Sequence, residues 1–208
     1  GEGTIEGGTE GEGEEGEGGE EGEVVQPIEP CPGDSIFAQP PHQDSSPWQA
    51  PVCQIQLGFA YEKFSGVTEP IGSVTWWGFD AHENAGIFSG CTTSGMFQVT
   101  ISETGSGTTP GPLLGAAEGV PAKIDTGAVY TLPGMFATIY RYTLTFDTPV
   151  VASEGWVAVS SLSSSLPCEW HWVSSPVGDG QTLYHSGAKA YYDTLPVDLS
   201  FCFGAGVI

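Results

Sequence analysis

Residues 135–150 read MFATIYRYTLTFDTPV. Tyr140, Tyr142, Leu144 and Phe146 alternate with Arg141, Thr143 and Thr145. An alternation of two puts the aromatic set on one face of an extended chain, whereas a helix would repeat its apolar residues every three or four positions. The stretch predicts a long β-strand with one face on a core. The same reading extends outward in both directions. Residues 94–104, SGMFQVTISET, place Phe97, Val99 and Ile101 on one face. IGSVTWWGFDA (71–81), GWVAVSSL (155–162), CEWHWVSS (168–175), AKAYYD (188–193) and DLSFCFG (198–204) are further short runs between turn residues. Gly178-Asp179-Gly180 is a hairpin-turn signal. No run keeps helical periodicity for more than about two turns. About eight to ten strands at this spacing predict an all-β domain, a β-sandwich or jelly roll, over residues 31–208. A span of that length is ample for a two-sheet core.

Residues 1–30 are of another kind. GEGTIEGGTEGEGEEGEGGEEGE (1–23) combines flexible Gly with mutually repelling Glu and almost no apolar surface. Such a tail or linker cannot offset the entropy of ordering itself. It is expected to be ordered, where it is ordered, by a neighbouring subunit or by bound cations. VVQPIEP (24–30) offers Val24, Val25 and Ile28 for self-association by strand addition to a neighbour. The competing reading pins this segment to its own domain. Opening on Gly1, with no signal sequence, is expected of a processed or excised chain.

The charge is one-sided, with 26 acidic residues against 4 basic ones and a net of −22. The tail is not its sole source, since residues 1–30 hold 11 of the acids. Lys63, Lys123, Arg141 and Lys189 are too few to neutralise a phosphate backbone, which argues against nucleic acid as a partner. No apolar run is long enough to span a bilayer as a helix. Close self-assembly of so acidic a chain must screen its charge, and Ca²⁺ is the natural candidate because hard cations take carboxylate oxygens.

Cys31, Cys53, Cys91, Cys168 and Cys202 show no CxxC spacing, which argues against a zinc ribbon or a thioredoxin-type site. Scattered cysteines in a β-rich chain read as disulfides in an oxidising compartment, here extracellular or at the cell surface. With an odd count, at most two bridges form. The fifth thiol is either buried and free or cross-linked to a partner.

The order of CPGDSIFAQPPHQ (31–43), SVTWWGFDA (73–81), SGMFQVTIS (94–102), YRYTLTFDTPV (140–150), GWVAVSSL (155–162), CEWHWVSS (168–175), GDGQTL (178–183) and DLSFCFGAG (198–206) resembles a jelly-roll-like β-sandwich domain of large secreted and surface proteins of environmental bacteria. The resemblance covers about residues 31–206 and leaves the acidic tail outside. It implies an extracellular, non-catalytic module and supplies no functional residues.

Two groups of residues invite functional readings. Trp76, Trp77, Trp170 and Trp172 are candidates for a sugar-stacking platform, against the alternative of core packing. Adjacent Trp76 and Trp77 point to opposite faces of a strand, so at least one leaves the local core face. Asp80, His82 and Glu83, read as a loop, carry metal-binding atoms without matching a strong motif. No GxSxG elbow is present, and Ser163, Ser164 and Ser165 beside His171 form no recognisable triad. The expectation is a non-catalytic, self-associating subunit of a bacterial surface filament, sheath or matrix. The alternatives are a carbohydrate-binding module recognising glycans and an inert spacer domain.

Overall fold

The computed structural model describes residues 28–42, 50–53, 57–106, 109–163, 167–186 and 192–207. The described residues form strands and connections, with no helix. In chain order the strands are β1 (Ser35–Gln39), β2 (Gly58–Ser65), β3 (Ile71–Asn84), β4 (Ile87–Ser89), β5 (Phe97–Thr104), β6 (Pro110–Gly119), β7 (Ala122–Leu132) and β8 (Met135–Val150). They continue with β9 (Glu154–Ser161), β10 (Glu169–Trp172), β11 (Ser174–Ser175), β12 (Thr182–Ser186), β13 (Asp193–Leu195), β14 (Asp198–Leu199) and β15 (Phe201–Ala205).

They assemble into an antiparallel sandwich. One sheet runs β1-β15-β3-β8-β7, with β10 and β4 attached to the far end of β3. The facing sheet runs β13-β12-β2-β9-β5-β6. β11 and β14 form a small separate pair. At one lateral side lie β1, β12 and β13. At the other lie β6 and β7; the four strands that end the sheets, β1, β13, β6 and β7, each pair with a single neighbour.

The main core lies between the sheets. Val74, Trp76, Tyr142, Phe201 and Phe203 from the first sheet meet Phe64, Phe97, Val99, Ile101, Val157 and Val159 from the second. A second core covers the opposite face of the first sheet, where Trp77, Phe79 and Ala81 pack with Tyr130, Ala137, Ile139 and Val173. β3 is therefore buried on both faces. That is why VTWWGF reads as a continuous apolar run instead of an alternation. In β8 the alternation holds for Tyr142 and Phe146, while Ala137 and Ile139 face the second core.

Three strands hid from the sequence for identifiable reasons. GFAYEKFS in β2 alternates properly, with Ala60, Glu62 and Phe64 inward, but a carboxylate occupies the central core position. PGPLLGAAEG in β6 looks like a loop, yet it is an edge strand, where proline is tolerated because one side of the ladder is unused. AKIDTGAVYTL in β7 carries a bulge between Asp125 and Val129. Gly178-Asp179-Gly180 is not a hairpin turn: it joins β11 to β12, which belong to different sheets. Two tight two-residue hairpins lie elsewhere: β3–β4, closed by Ala85 (φ 52) and Gly86 (φ 82) between the paired Asn84 and Ile87, and β7–β8, closed by Pro133 and Gly134 (φ 94) between the paired Leu132 and Met135. Of AKAYYD, residues 188–191 lie outside the described residues.

Candidate functional site

The four tryptophans are each 0 % exposed. Trp76, Trp170 and Trp172 fill the main core and Trp77 fills the second. Trp172 donates its indole N–H to the Ser200 carbonyl at 2.8 Å, and Trp76 stacks on Tyr142 with ring centroids 5.7 Å apart. The platform expectation is corrected here. Trp77 does leave the main core face, but the curl of the first sheet buries it on the other side.

Asp80, His82 and Glu83 lie on β3 and not in a loop. Strand alternation puts Asp80 and His82 on one face and Glu83 on the other, so the three do not converge on one ion. Asp80 accepts a hydrogen bond from Thr93 Oγ1 at 2.9 Å, and burial raises its carboxyl above the usual range. Ile28 is buried in the second core, and the adjacent Glu29 pairs with Arg141, so this end of VVQPIEP is pinned to its own domain. Val24 and Val25 lie outside the described residues. Cys31 bonds to Cys202 and Cys91 to Cys168. Cys53 is the free thiol, fully enclosed, and burial raises its pKa, so it is not placed to cross-link.

The strongest cluster of polar groups sits on the β1/β12 side, and no single motif announced it. Glu62 of β2 is 1 % exposed. Gln39 of β1 donates through Nε2 both to Glu62 Oε1 at 3.0 Å and to the Leu199 carbonyl at 2.8 Å. The Leu199 amide donates to Glu62 Oε2 at 3.1 Å. Thr182 Oγ1 lies 2.6 Å from Glu62 Oε2 and 2.7 Å from the Val197 carbonyl. A hydroxyl has one hydrogen and cannot serve both oxygens. A proton on Glu62 resolves this: the carboxyl donates to Thr182, and Thr182 donates to Val197. Burial pushes the Glu62 pKa up to about 8, with the nearby Asp198 adding to the rise.

Asp198 completes the cluster. Both its oxygens accept the Gly180 amide, at 2.9 and 3.0 Å. Gly178 crosses directly above, so a Cβ there would fall 2.2 Å from Asp198 Oδ1, and its φ of +152 also disfavours a side chain. The glycines of the Gly-Asp-Gly stretch thus cradle a carboxylate. Glu62, Asp179 and Asp198 each offer an oxygen, all within 4.8 Å of one another. Hard oxygen donors of this kind suit Ca²⁺, which would replace the proton on Glu62.

The opposite side of the sandwich presents backbone. β6 and β7 are the outermost strands of their sheets and follow each other in the chain. Gly115 lets β6 lie close over β8, since a Cβ there would meet Val150 Cγ2 at 2.3 Å. Leu113 is 60 % exposed, Val120 73 % and Ile124 48 %. Pro110 and Pro112 lack a donor and the β7 bulge interrupts the ladder, which leaves residues 113–119 and 122–125 as the open edges. Together β6 and β7 carry only three charged side chains, Glu118, Lys123 and Asp125.

The fold and its two contrasting sides define a disulfide-stapled antiparallel β-sandwich. No known protein family, curated protein or solved structure matches this chain.

Proposed function

We propose that the chain is a non-catalytic structural module of an extracellular or cell-surface assembly, and that copies associate through the β6 and β7 edges. The observation that carries this reading is the pair of adjacent open edges lined by exposed Leu113, Val120 and Ile124. An exposed apolar edge is a template for pairing with another strand. A second copy is the favoured occupant because this strip is nearly neutral on a molecule of net charge −22, so two copies meet there with least repulsion. Two disulfides fit an oxidising compartment. Ca²⁺ at Glu62, Asp179 and Asp198, and along the acidic tail, would lower the remaining repulsion. Native mass spectrometry with zero-length cross-linking tests the reading. Oligomers with cross-links mapping to Glu118 or Lys123 are expected, and monomers at every concentration would overturn it.

A second reading, glycan binding, rests on a cavity of about 200 Å³ lined by Asp80, Lys123, Phe136, Thr138 and Tyr140. Lys123 Nζ lies 3.8 Å from the Tyr140 ring centre, and Phe136 is 72 % exposed. Aromatic faces beside a carboxylate and an ammonium suit sugar C–H and O–H groups. On a glycan array, binding lost in Phe136→Ala would favour this reading, and no binding by the intact protein would dismiss it.

A further inference from the structure

The open stretch of β7 reads Ala122-Lys123-Ile124-Asp125, and all four residues are exposed. Lys123, Ile124 and Asp125 pair with Tyr142, Arg141 and Tyr140 of β8, and the other side of the strand has no partner among the described residues. Directly paired residues of a sheet share a face, and neighbours along a strand alternate. Lys123 and Asp125 therefore stand on the Tyr140 face, and Ile124 stands on the opposite one. Among the described residues, neither Lys123 nor Asp125 has an ion-pair partner. The Lys123 ammonium rests 3.8 Å from the Tyr140 ring centre, on a flexible stem that can carry it to a carboxylate alongside. The Gly127 amide donates to Asp125 Oδ1 at 2.8 Å, which fixes the carboxylate and leaves Oδ2 outside that bond.

The stretch is short and bounded. Pro121 before it has no amide hydrogen, and the bulge between Asp125 and Val129 interrupts the ladder after it. Outward-pointing backbone groups recur at every second residue, so this strand and its own copy can pair antiparallel only about a residue. Centring the pair on Lys123 sets two ammonium groups together, and centring it on Asp125 sets two carboxylates together. Like charges directly opposite each other destabilise a sheet. Centring on Ala122 brings Pro121 into the ladder, where it cannot donate. Centring on Ile124 sets Lys123 against the copy's Asp125 and Asp125 against the copy's Lys123, while the two Ile124 side chains meet on the other face.

We propose that two copies join through β7 in the antiparallel register centred on Ile124, with two Lys123–Asp125 ion pairs on one face and an Ile124–Ile124 contact on the other. The proposal rests on association through this edge and commits it to one geometry. The joint is two-fold symmetric, so each ion pair occurs twice and β7 is used up in both copies.

Charge reversal, read by analytical ultracentrifugation, tests the register. Lys123→Asp alone sets acid against acid, and Asp125→Lys alone sets base against base. Each single variant should associate roughly tenfold more weakly than wild type. Asp125→Lys is the sharper of the two, because it lowers the net charge of −22 and would aid any joint governed by overall repulsion. Mixed in equal amounts, the two variants face acid with base at both pairs, and the mixture should regain the wild-type mass. Ile124→Cys should cross-link to its own copy under mild oxidation and Ala122→Cys should not, a readout that stands even if Asp125→Lys fails to fold. Suppose wild type associates. Single variants that associate equally well, a mixture that stays monomeric, or a cross-link through Ala122→Cys in place of Ile124→Cys would then overturn this register and leave association itself standing. Wild type that stays monomeric would overturn both.

Discussion

Glu62 and Glu118 stand on opposite sides of one sandwich, and their surroundings differ in kind. Glu62 is buried where β1 of one sheet meets β2 and β12 of the other, and Gln39, Thr182 and the Leu199 amide tie it across the gap. Glu118 is exposed on β6, where the sheets end in open backbone. Burying a carboxyl group, even a protonated one, is costly unless its oxygens are hydrogen-bonded, and these partners supply those bonds. The chain seals its β1/β12 side from within, helped by the Cys31–Cys202 bridge between the segment before β1 and β15. It builds no such seal at β6/β7. The difference teaches that an edge left apolar and nearly uncharged is available to be completed by another chain.

Opening the sealed side should have the largest effect. Cys31 and Cys202 are 171 residues apart in sequence, so replacing both by Ser frees a long loop in the unfolded chain. A loss of about 2–5 kcal/mol is expected by urea denaturation. An unchanged midpoint would mean the hydrogen-bonded network closes that side alone.

The next effect is a dependence on pH. The Glu62 pKa rises from 4.5 in the unfolded chain to about 8 in the fold. Between those values the folded state holds a proton that the unfolded state has released, so stability falls as pH rises through the window. The slope approaches about 1.4 kcal/mol per pH unit, and it levels off above the folded pKa. Glu62→Gln should remove this component, leaving a variant near wild type at pH 5 and more stable than wild type at pH 8. Parallel pH profiles for the two proteins would refute a proton on Glu62.

Calcium sharpens the same point. At pH 8, Ca²⁺ should restore the stability that deprotonation removes, by about 2.7 kcal/mol at a hundredfold excess over its Kd. The gain should vanish in Asp179→Asn. If Ca²⁺ leaves the thermal midpoint where it was, the proton alone holds the cluster together.

Substitution on the open side should barely affect folding. Leu113→Lys with Ile124→Lys replaces two exposed residues by charges, the usual protection of an edge strand. A change within about 0.5 kcal/mol of wild type is expected on thermal unfolding. A larger loss would show that these side chains pack within their own subunit.

The sequence made the sandwich legible wherever one face of a strand is buried and the other is wet, as in β5 and the centre of β8. It was less legible where both faces are buried. Trp76 and Trp77 point to opposite faces as their adjacency requires, but only the curl of the first sheet reveals that both faces are covered. Asp80, His82 and Glu83 looked like neighbours because sequence proximity hides the alternation that separates them. The Glu62 cluster was not legible, because its members come from β2, the Gly-Asp-Gly connection and β14, up to 136 residues apart. A lone acid within the alternation of GFAYEKFS was the one signal present. β6 was hidden by its prolines and glycines, the same residues that suit it to an edge.

The central claim is association through β6 and β7, and sedimentation equilibrium tests it most directly. Wild type and Leu113→Lys/Ile124→Lys would be compared over a wide concentration range with Ca²⁺ present. The account predicts a wild-type mass that climbs above the monomer with concentration and a variant that stays monomeric. Two proteins that both remain monomeric, or that associate to the same extent, would contradict it.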